Sequence, residues 1–154
     1  MRRCLSCQTL YNGQKCPKCG SQSWEDGRHS SSTYLVSIRG HFDAAHHLRG
    51  YEGPCARCHG HSWLVDILVK GSQVDSLGMV VDFRDLKATL KEKVLDVLDQ
   101  HDLNEIDVFT KINPTAENLA RWIYEQMGAM VPSLSEVRVW ESPDAMASYC
   151  VDRA

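Results

Sequence analysis

The segment from His46 to His61 constrains the fold of this chain more than any other part of the sequence. His59 and His61 are two positions apart, so on an extended strand both side chains leave the same face and point to one place. Gly60 between them lets the backbone run close to whatever occupies that place. His46 can reach the same place from a neighbouring strand. We therefore expect two strands that bring three imidazoles together.

These three imidazoles are predicted to bind zinc. Neutral imidazole is a nitrogen ligand suited to zinc, and catalytic zinc sites commonly have three protein ligands and a fourth position for water or substrate. His46, His59 and His61 supply such a set. Cys55 then remains free nearby, so it is a candidate thiolate catalyst rather than a fourth ligand.

A second zinc site is predicted near the N-terminus. Cys4-x-x-Cys7 and Cys16-Pro-Lys-Cys19 form two knuckles, separated by eight residues, and each presents two thiolates on one face of a tight turn. Four such thiolates make a tetrahedral structural site. A segment this short has almost no apolar core, so metal binding would supply its folding free energy. Two zinc ions per chain are therefore expected, one catalytic and one structural.

The composition indicates one main domain with a small extension. The chain has 154 residues, of which 43% are apolar, and this is enough for one ordinary core. The segment from Gly20 to Ser32 is polar, which is typical of a linker. We expect a zinc-ribbon-like segment with its linker over residues 1–28 and the main domain over residues 29–154.

The same composition argues against several classes of partner. No run of about 18 apolar residues is present, so no membrane span is expected. The N-terminus lacks the apolar region of a signal peptide, which predicts a cytoplasmic protein. A net charge of −3 gives no electrostatic reason to expect direct nucleic-acid binding. In a reducing compartment, the seven cysteines are expected to be metal ligands or catalytic groups rather than disulfides.

The periodicity of the main domain predicts an α+β fold in the order β-β-α-α-β-β, with both helices on one face of an antiparallel sheet. Four segments with strand character are found at residues 34–39, 62–70, 136–141 and 145–151. One amphipathic helix is expected after Asp82 as N-cap, and a second with Asn113 as cap and Pro114 at the first helical position.

Six motifs of the main domain occur together and in one order. They are Phe42-Asp-Ala-Ala-His46, Cys55-x3-His59-Gly60-His61, Val81-Asp82-Phe83-Arg-Asp-Leu-Lys87, Leu98-Asp99-x3-Leu103-Asn104, Asn113-Pro-Thr-Ala-Glu117-Asn-Leu-Ala120 and Val137-Arg-Val-Trp-Glu141. In these motifs and their order, residues 33–152 resemble the 6-pyruvoyltetrahydropterin synthase family. The short spacing between Cys55 and the His-Gly-His motif is similar to that of its bacterial 6-carboxytetrahydropterin synthase branch, which belongs to the queuosine and 7-deazaguanine pathway.

The resemblance implies a fold, an assembly and a reaction. The fold is the tunnelling fold, whose sheets join side by side into a trimeric barrel, often stacked in pairs into a homo-hexamer with active sites at subunit interfaces. The implied reaction converts 7,8-dihydroneopterin triphosphate and water to 6-carboxy-5,6,7,8-tetrahydropterin, acetaldehyde and triphosphate. The implied partners are therefore a small pterin substrate and further copies of the chain.

The resemblance also implies roles for individual residues. Zinc on the three histidines would chelate the side-chain hydroxyls of the substrate, and Cys55 would move protons at the side-chain carbons. Glu141 would anchor the pterin through hydrogen bonds from its ring N–H and exocyclic amine. The family also has a catalytic Asp-His pair, of which Asp99 matches the aspartate. Gln100 takes the place of the histidine, and Gln cannot titrate.

His101, the next residue, is the candidate replacement for that histidine. Adjacent residues of a regular helix point about 100° apart, so the replacement requires a change in the backbone. Two outcomes are open at this point: His101 relays protons beside Asp99, or the activity is weakened. An exposed cation at a helix C-terminus is the plainer interpretation of His101.

Two other interpretations of the chain compete with a pterin synthase. Cys55-Ala-Arg-Cys58-His59 matches the C-x-x-C-H pattern of c-type haem attachment, although the sequence shows no export signal. Alternatively, the chain is a zinc-stabilised, pterin-binding protein without turnover, or a triphosphate lyase of the 6-pyruvoyl type.

Overall fold

The computed structural model of the chain describes residues 2–21, 24–26 and 33–151. The chain divides into two compact units, Met1–Ser32 and Thr33–Ala154. The predicted boundary between residues 28 and 29 and most of the predicted linker lie outside the described residues. Within the described part of the chain, no helix combines the length and the apolar character needed to cross a bilayer.

The small unit contains a three-stranded antiparallel sheet in the order β2-β1-β3, formed by β1 (Arg2–Cys4), β2 (Leu10–Tyr11) and β3 (Trp24–Asp26). Its hydrophobic cluster contains Cys4, Tyr11 and Cys16, with Cys7 packed against them. A cluster made of three thiol side chains and one aromatic ring buries little apolar surface. The expectation that a bound metal ion stabilises this unit stays a prediction.

The main unit is built on a four-stranded antiparallel sheet in the order β4-β5-β6-β7. The strands are β4 (Tyr34–His46), β5 (His59–Gly71), β6 (Leu134–Ser142) and β7 (Ala145–Cys150). Strands β4 and β5 are longer than the sequence predicts, because their pairing continues to His46 opposite His59. The hairpin between them closes through residues 47–58.

The helical part lies between β5 and β6. It comprises α1 (Phe83–Leu90), a π-helical turn (Lys91–Leu95), a short α2 (Asp96–Leu98), two 3₁₀ turns (Leu103–Glu105 and Asp107–Thr110) and α3 (Ala116–Gly128). Asp82 caps α1 as predicted, because its carboxylate accepts a hydrogen bond from the Arg84 N–H at 2.7 Å.

The predicted cap of the second long helix is wrong by two residues. Thr115 is the N-cap of α3, and its hydroxyl accepts a hydrogen bond from the Asn118 N–H. Asn113 is occupied elsewhere: its side chain accepts from the Arg49 N–H and donates to the Arg49 carbonyl, at 2.9 and 3.0 Å. The helix therefore starts at Ala116, while the Asn113 side chain holds the loop that contains Arg49.

The apolar core lies between the helices and one face of the sheet, which confirms the predicted α+β arrangement. Phe42 and Trp63 are fully buried and stack with ring centroids 6.0 Å apart. The other face of the sheet carries charged side chains beside apolar ones such as Leu68. There Asp66 accepts two hydrogen bonds from Arg39, at 2.6 and 2.8 Å, and one from the Trp140 indole N–H. The bonds from Arg39 lower the pKa of Asp66.

Gly40 in β4 lies directly under side chains of the helical layer. A Cβ atom there would lie 2.9 Å from Leu90 Cδ2 and 3.3 Å from Leu95 Cδ1. Gly40→Val should therefore lower the free energy of unfolding by about 1–3 kcal/mol through overpacking. Gly128→Val is the matched control, because nothing lies within 4 Å of a Cβ at Gly128. Urea unfolding followed by circular dichroism measures both, and equal effects would contradict the packing argument.

Candidate metal centre and active-site cavity

The β4–β5 register brings the three predicted histidine ligands together. His46 pairs with His59, and His61 pairs with Ala44, so all three imidazoles leave the same face at the end of the hairpin. The ring centroid of His46 lies 4.6 Å from that of His59 and 5.2 Å from that of His61. The Trp63 ring contacts His46 and His61 edge-on and forms the apolar floor of this histidine cluster.

Hydrogen bonds to backbone carbonyls fix the tautomers of two of these rings. His46 Nδ1 lies 2.8 Å from the Pro114 carbonyl, and His59 Nδ1 lies 2.8 Å from the Arg57 carbonyl. A carbonyl only accepts, so each Nδ1 carries the hydrogen and each Nε2 of the neutral ring is a bare lone pair. These two Nε2 atoms are 3.1 Å apart. Two lone pairs that face one another repel, whereas a cation between them would be coordinated by both nitrogens.

The third ring and a nearby carboxylate complete the same set of donors. His61 Nε2 is buried and has no hydrogen-bond partner, although Glu141 Oε1 lies 3.1 Å away. His46 Nε2 lies 3.3 Å from the same oxygen. The ligand atoms of His46, His59, His61 and Glu141 all lie within 4.8 Å of one another. Burial lowers the pKa of His46, which favours the neutral form that binds metals. The donor set fits a divalent transition-metal ion.

A cavity of about 300 Å³ opens beside the histidine cluster. Its lining includes His46, Cys55, Thr115, Glu117 and Glu141. Cys55 lies in a 3₁₀ turn, Pro54–Ala56, whose position is fixed by a hydrogen bond from the Leu48 N–H to the Cys55 carbonyl. The structure therefore brings the predicted thiol and the predicted pterin anchor to one cavity.

Cys58 is exposed and does not line this cavity, whereas Cys55 is half-buried in it. His59 faces the other two histidines. The haem interpretation needs His59 as an axial ligand, and this position of the ring argues against it.

The segment that replaces the expected Asp-His pair is tied to the end of β4. The Asp99 carboxylate accepts from the Asp43 N–H at 2.9 Å, and the Gln100 N–H donates to the Asp43 carbonyl at 2.7 Å. The His101 carbonyl accepts from the Ala45 N–H at 3.0 Å. The helix has ended at Leu98, Asp99 is extended, and Gln100 has φ +61°, in the left-handed region, so the backbone turns sharply just before His101.

His101 and Cys55 open on different cavities of this chain. Gln100 and His101 line a second cavity of about 500 Å³, together with His61. His101 Nδ1 lies 2.7 Å from the backbone carbonyl of Asp99, so it is the main chain that orients this ring. Nδ1 then carries the hydrogen, and Nε2 is the basic nitrogen.

The four N-terminal cysteines also form a compact group. Cys4 Sγ lies 3.5 Å from Cys19 Sγ, and Cys7 Sγ lies 3.5 Å from Cys16 Sγ. All four sulfur atoms lie within 4.8 Å of one another, so they could hold a metal ion.

Hydrogen bonding and neighbouring charge shift the pKa values of Cys7 and Cys19 in opposite directions. Hydrogen bonds from the hydroxyl and then the N–H of Thr9 lower the pKa of Cys7 to about 6. The pKa of Cys19 is raised, since the lowering effect of the Ser21 backbone is outweighed by the neighbouring sulfurs of Cys4 and Cys7. Sulfurs this close resist joint ionisation unless a cation lies between them.

Residues 35–151 match the sequence profile of the 6-pyruvoyl tetrahydropterin synthase family. The chain therefore belongs to this family, and its main unit is a tetrahydropterin synthase domain. The match begins at residue 35, so the four N-terminal cysteines lie outside it.

Several relatives carry specific names. The 6-carboxy-5,6,7,8-tetrahydropterin synthase of Haemophilus influenzae is 31% identical over 138 residues, covering 75% of this chain and 98% of the relative. The enzyme of the same name from Synechocystis is 39% identical over 113 residues, covering 70% and 86%. The 6-pyruvoyl tetrahydrobiopterin synthase of Dictyostelium discoideum is 30% identical over 131 residues, covering 77% and 97%.

A solved structure gives the same result for the fold. The 6-pyruvoyl tetrahydropterin synthase of Caenorhabditis elegans superposes with a TM-score of 0.71 at 25% identity, covering 79% of this chain and 97% of that one.

Sequence reasoning missed the groups that orient the site. The Pro114 and Arg57 carbonyls hold two histidine rings, and Thr115 and Glu117 line the cavity. Asn104 is buried and brackets the His47 backbone, accepting from its N–H and donating to its carbonyl at 2.8 and 2.9 Å. The Asn113–Ala120 motif was the available signal for the cavity, whereas backbone carbonyls leave no trace in side-chain patterns.

The histidine cluster should bind Co²⁺, a spectroscopic substitute for other divalent ions. His59→Ala removes one facing lone pair and should weaken Co²⁺ binding at this site by at least about tenfold. The thiolate-to-cobalt absorption of the N-terminal cysteines should remain, because they belong to the other unit, and circular dichroism checks that the main unit of the variant is folded. His47→Ala is the control, since His47 is the neighbour of His46 but lies outside the group of donor atoms. Titration by visible absorption measures all three proteins, and equal affinities would exclude the cluster as a metal centre.

Proposed function

We propose that this chain converts 7,8-dihydroneopterin triphosphate and water to 6-carboxy-5,6,7,8-tetrahydropterin, acetaldehyde and triphosphate, as a lyase of queuosine and 7-deazapurine biosynthesis. The main support is one cavity that collects a thiol, a carboxylate and the histidine cluster, through Cys55, Glu141 and His46. The short spacing from Cys55 to His59 favours this reaction over that of the 6-pyruvoyl synthases. The alternative is a 6-pyruvoyl-type triphosphate lyase, because relatives of both names are similar to the chain.

Zinc is the metal we propose for both donor groups, giving two ions per chain. His46, His59 and His61 would hold the catalytic ion, which supplies Lewis acidity to the side-chain hydroxyls of the substrate when bound. Cys4, Cys7, Cys16 and Cys19 would hold the structural ion. The carbonyl bonds to His46 and His59 keep both rings aimed before any ligand arrives.

Cys55 and Glu141 have complementary roles in this proposal. Glu141 accepts hydrogen bonds from the N–H edge of the pterin. These bonds fix the ring so that the side chain of the substrate extends toward the histidines. Cys55, as a thiolate, takes a proton from a side-chain carbon and returns it to a neighbouring position. Its half-buried place in the cavity limits access of bulk water to the exchanged proton.

His101 is proposed to take over the proton relay, with Asp99 as a positioning residue. The Asp99 carbonyl holds His101 Nδ1 at 2.7 Å and leaves Nε2 to accept a proton. The Asp99 carboxylate anchors the segment to β4 through the Asp43 N–H. The left-handed turn at Gln100 supplies the backbone change that this replacement requires.

We also propose a homo-trimer or hexamer with active sites at subunit interfaces. The outer strands β4 and β7 have one unpaired edge each within the described sheet, and edge pairing between copies would satisfy both. Cys55 and His101 open on different cavities, so a neighbouring copy could supply the missing half of each site. A cytoplasmic location, with no membrane or nucleic-acid partner, completes the proposal.

Incubation with dihydroneopterin triphosphate tests the reaction. We expect the carboxy product with acetaldehyde in equal amounts, identified by mass spectrometry and by trapping of the aldehyde. The 6-pyruvoyl compound without acetaldehyde would identify the alternative lyase, and binding of the substrate without any product would indicate a pterin-binding protein that lacks turnover.

The roles of the two neighbouring thiols can be separated by mutation. Cys55→Ala should reduce turnover by at least about 10²-fold, because it removes the group that moves protons, while zinc content stays unchanged. Cys58→Ala should retain near-normal activity, since this thiol is exposed outside the cavity. Steady-state kinetics and elemental analysis test both variants. A loss of zinc from Cys55→Ala would instead identify the thiol as a metal ligand.

The proposed proton relay is tested by mutating residues 100 and 101 separately. His101→Ala should reduce turnover by about 10²–10⁴-fold, the usual contribution of a positioned general acid or base. Gln100→His should change little, because the relay is already present. The opposite pattern, a silent His101→Ala and an activating Gln100→His, would show that the site is impaired. The pH dependence of kcat should lose one ionisation in His101→Ala.

A further inference from the structure

Glu141 points at the histidine cluster rather than into open space. It lies near the end of β6, and its Oε1 atom is 3.3 Å from His46 Nε2 and 3.1 Å from His61 Nε2. His61 Nε2 makes no hydrogen bond in this arrangement, so the carboxylate is not held there by a donor on that ring. One oxygen atom and three imidazole nitrogens thus lie within 4.8 Å of one another, close enough to share one ion.

This set of donors is complete for a tetrahedral metal ion. Zinc commonly accepts carboxylate oxygen beside imidazole nitrogen, and four protein donors leave no open position. A catalytic ion that must reach the hydroxyls of a substrate needs an open position. The geometry therefore requires that one of the four donors leaves before the substrate is ligated.

Glu141 is the donor that can leave. Its side chain is 30% exposed, compared with 24% for His61 and 2% for His46, and it lines the cavity that we assign to the pterin, which His61 does not line. His46 and His59 are also held by carbonyl bonds on their far side. A carboxylate that accepts hydrogen bonds from two adjacent donors of a heterocycle uses both oxygens, which is incompatible with Oε1 at the centre of the cluster.

We propose that Glu141 is the fourth ligand of the metal ion while the cavity is empty, and that the pterin ring withdraws it and so opens the coordination position needed by the substrate side chain. This inference rests on the metal site and the pterin site of the proposed function. It makes metal reactivity conditional on recognition of the ring, because the ion is shielded from other anions and water until the heterocycle is bound.

The state of the fourth position can be measured with thiocyanate on the Co²⁺-substituted full chain. Thiocyanate binds only where a ligand position is open or exchangeable, and it changes the visible spectrum of the cobalt. The N-terminal site, with four thiolates, is closed and should not respond. In the unmodified protein we expect weak thiocyanate binding, and in Glu141→Ala and Glu141→Gln an affinity at least tenfold higher.

Glu117→Gln is the matched control, because Glu117 lines the same cavity but does not belong to the group of donor atoms. Its thiocyanate affinity should equal that of the unmodified protein. Near-ultraviolet circular dichroism of each variant establishes that the cavity is folded. Equal thiocyanate affinity in the unmodified protein, Glu141→Ala and Glu117→Gln would overturn the assignment of Glu141 as a ligand.

The withdrawal step has its own test, which uses 6-methylpterin as the probe. This compound offers the ring edge to Glu141 but has no side-chain hydroxyl to bind the metal. It should raise the thiocyanate affinity of the unmodified protein several-fold, and by reciprocity thiocyanate should raise the affinity for 6-methylpterin by the same factor. In Glu141→Ala the coupling should vanish. Thiocyanate affinity that is unchanged by saturating 6-methylpterin would show that the ring does not open the position.

These measurements do not depend on turnover, so they can be judged separately from the reaction. If thiocyanate responds as expected but dihydroneopterin triphosphate is not converted, the proposed reaction fails and the ligand exchange stands. If the reaction proceeds while Glu141→Ala leaves the thiocyanate affinity unchanged, the reaction stands and the ligand exchange fails.

Discussion

The antiparallel register between β4 and β5 is the constraint on which the rest of the site depends. It sets His46 against His59 and places His61 on the same face, over a core that contains Trp63. A shift of one residue would move every side chain of β4 to the opposite face, and His46 would then lie on the other side of the sheet. The buried face of the sheet therefore selects the same register that assembles the histidine cluster. A single pairing therefore specifies both the packing of the sheet and the arrangement of the three histidines.

Most of the fold could be predicted from local patterns, and the failures occurred where a residue is used over a long distance in the sequence. The strand alternation and the Asp82 cap are local properties, and the structure confirms them. Asn113 looked like a helix cap because its residue type and the following proline fit that role. Its side chain instead holds Arg49, a loop residue 64 positions earlier, and no local pattern reveals such a contact.

The site shows the same division between residue types and their geometry. His59 and His61 could be grouped from their spacing, because a strand fixes the direction of alternate side chains, and His46 was expected from the neighbouring strand. The left-handed conformation of Gln100 could not be predicted, since non-glycine residues seldom adopt it. That conformation and the hydrogen bond between His101 Nδ1 and the Asp99 carbonyl together set the direction of the neighbouring His101 ring. Glu141 was predicted as a site residue, but its contact with the histidine nitrogens was not, because this contact depends on how β6 pairs with β5.

The hairpin that carries the histidines has a consequence for the order of folding events. All three imidazoles belong to one hairpin, whose closing segment comprises only residues 47–58, whereas Glu141 arrives on a strand that follows the whole helical region. Short loops close much faster than the long-range contacts of a complete sheet form. An ion could therefore be captured by the hairpin while β6 is still unpaired, and would then act as a staple at its closed end. Metal supply during synthesis would influence the folding rate of this chain as well as its final stability.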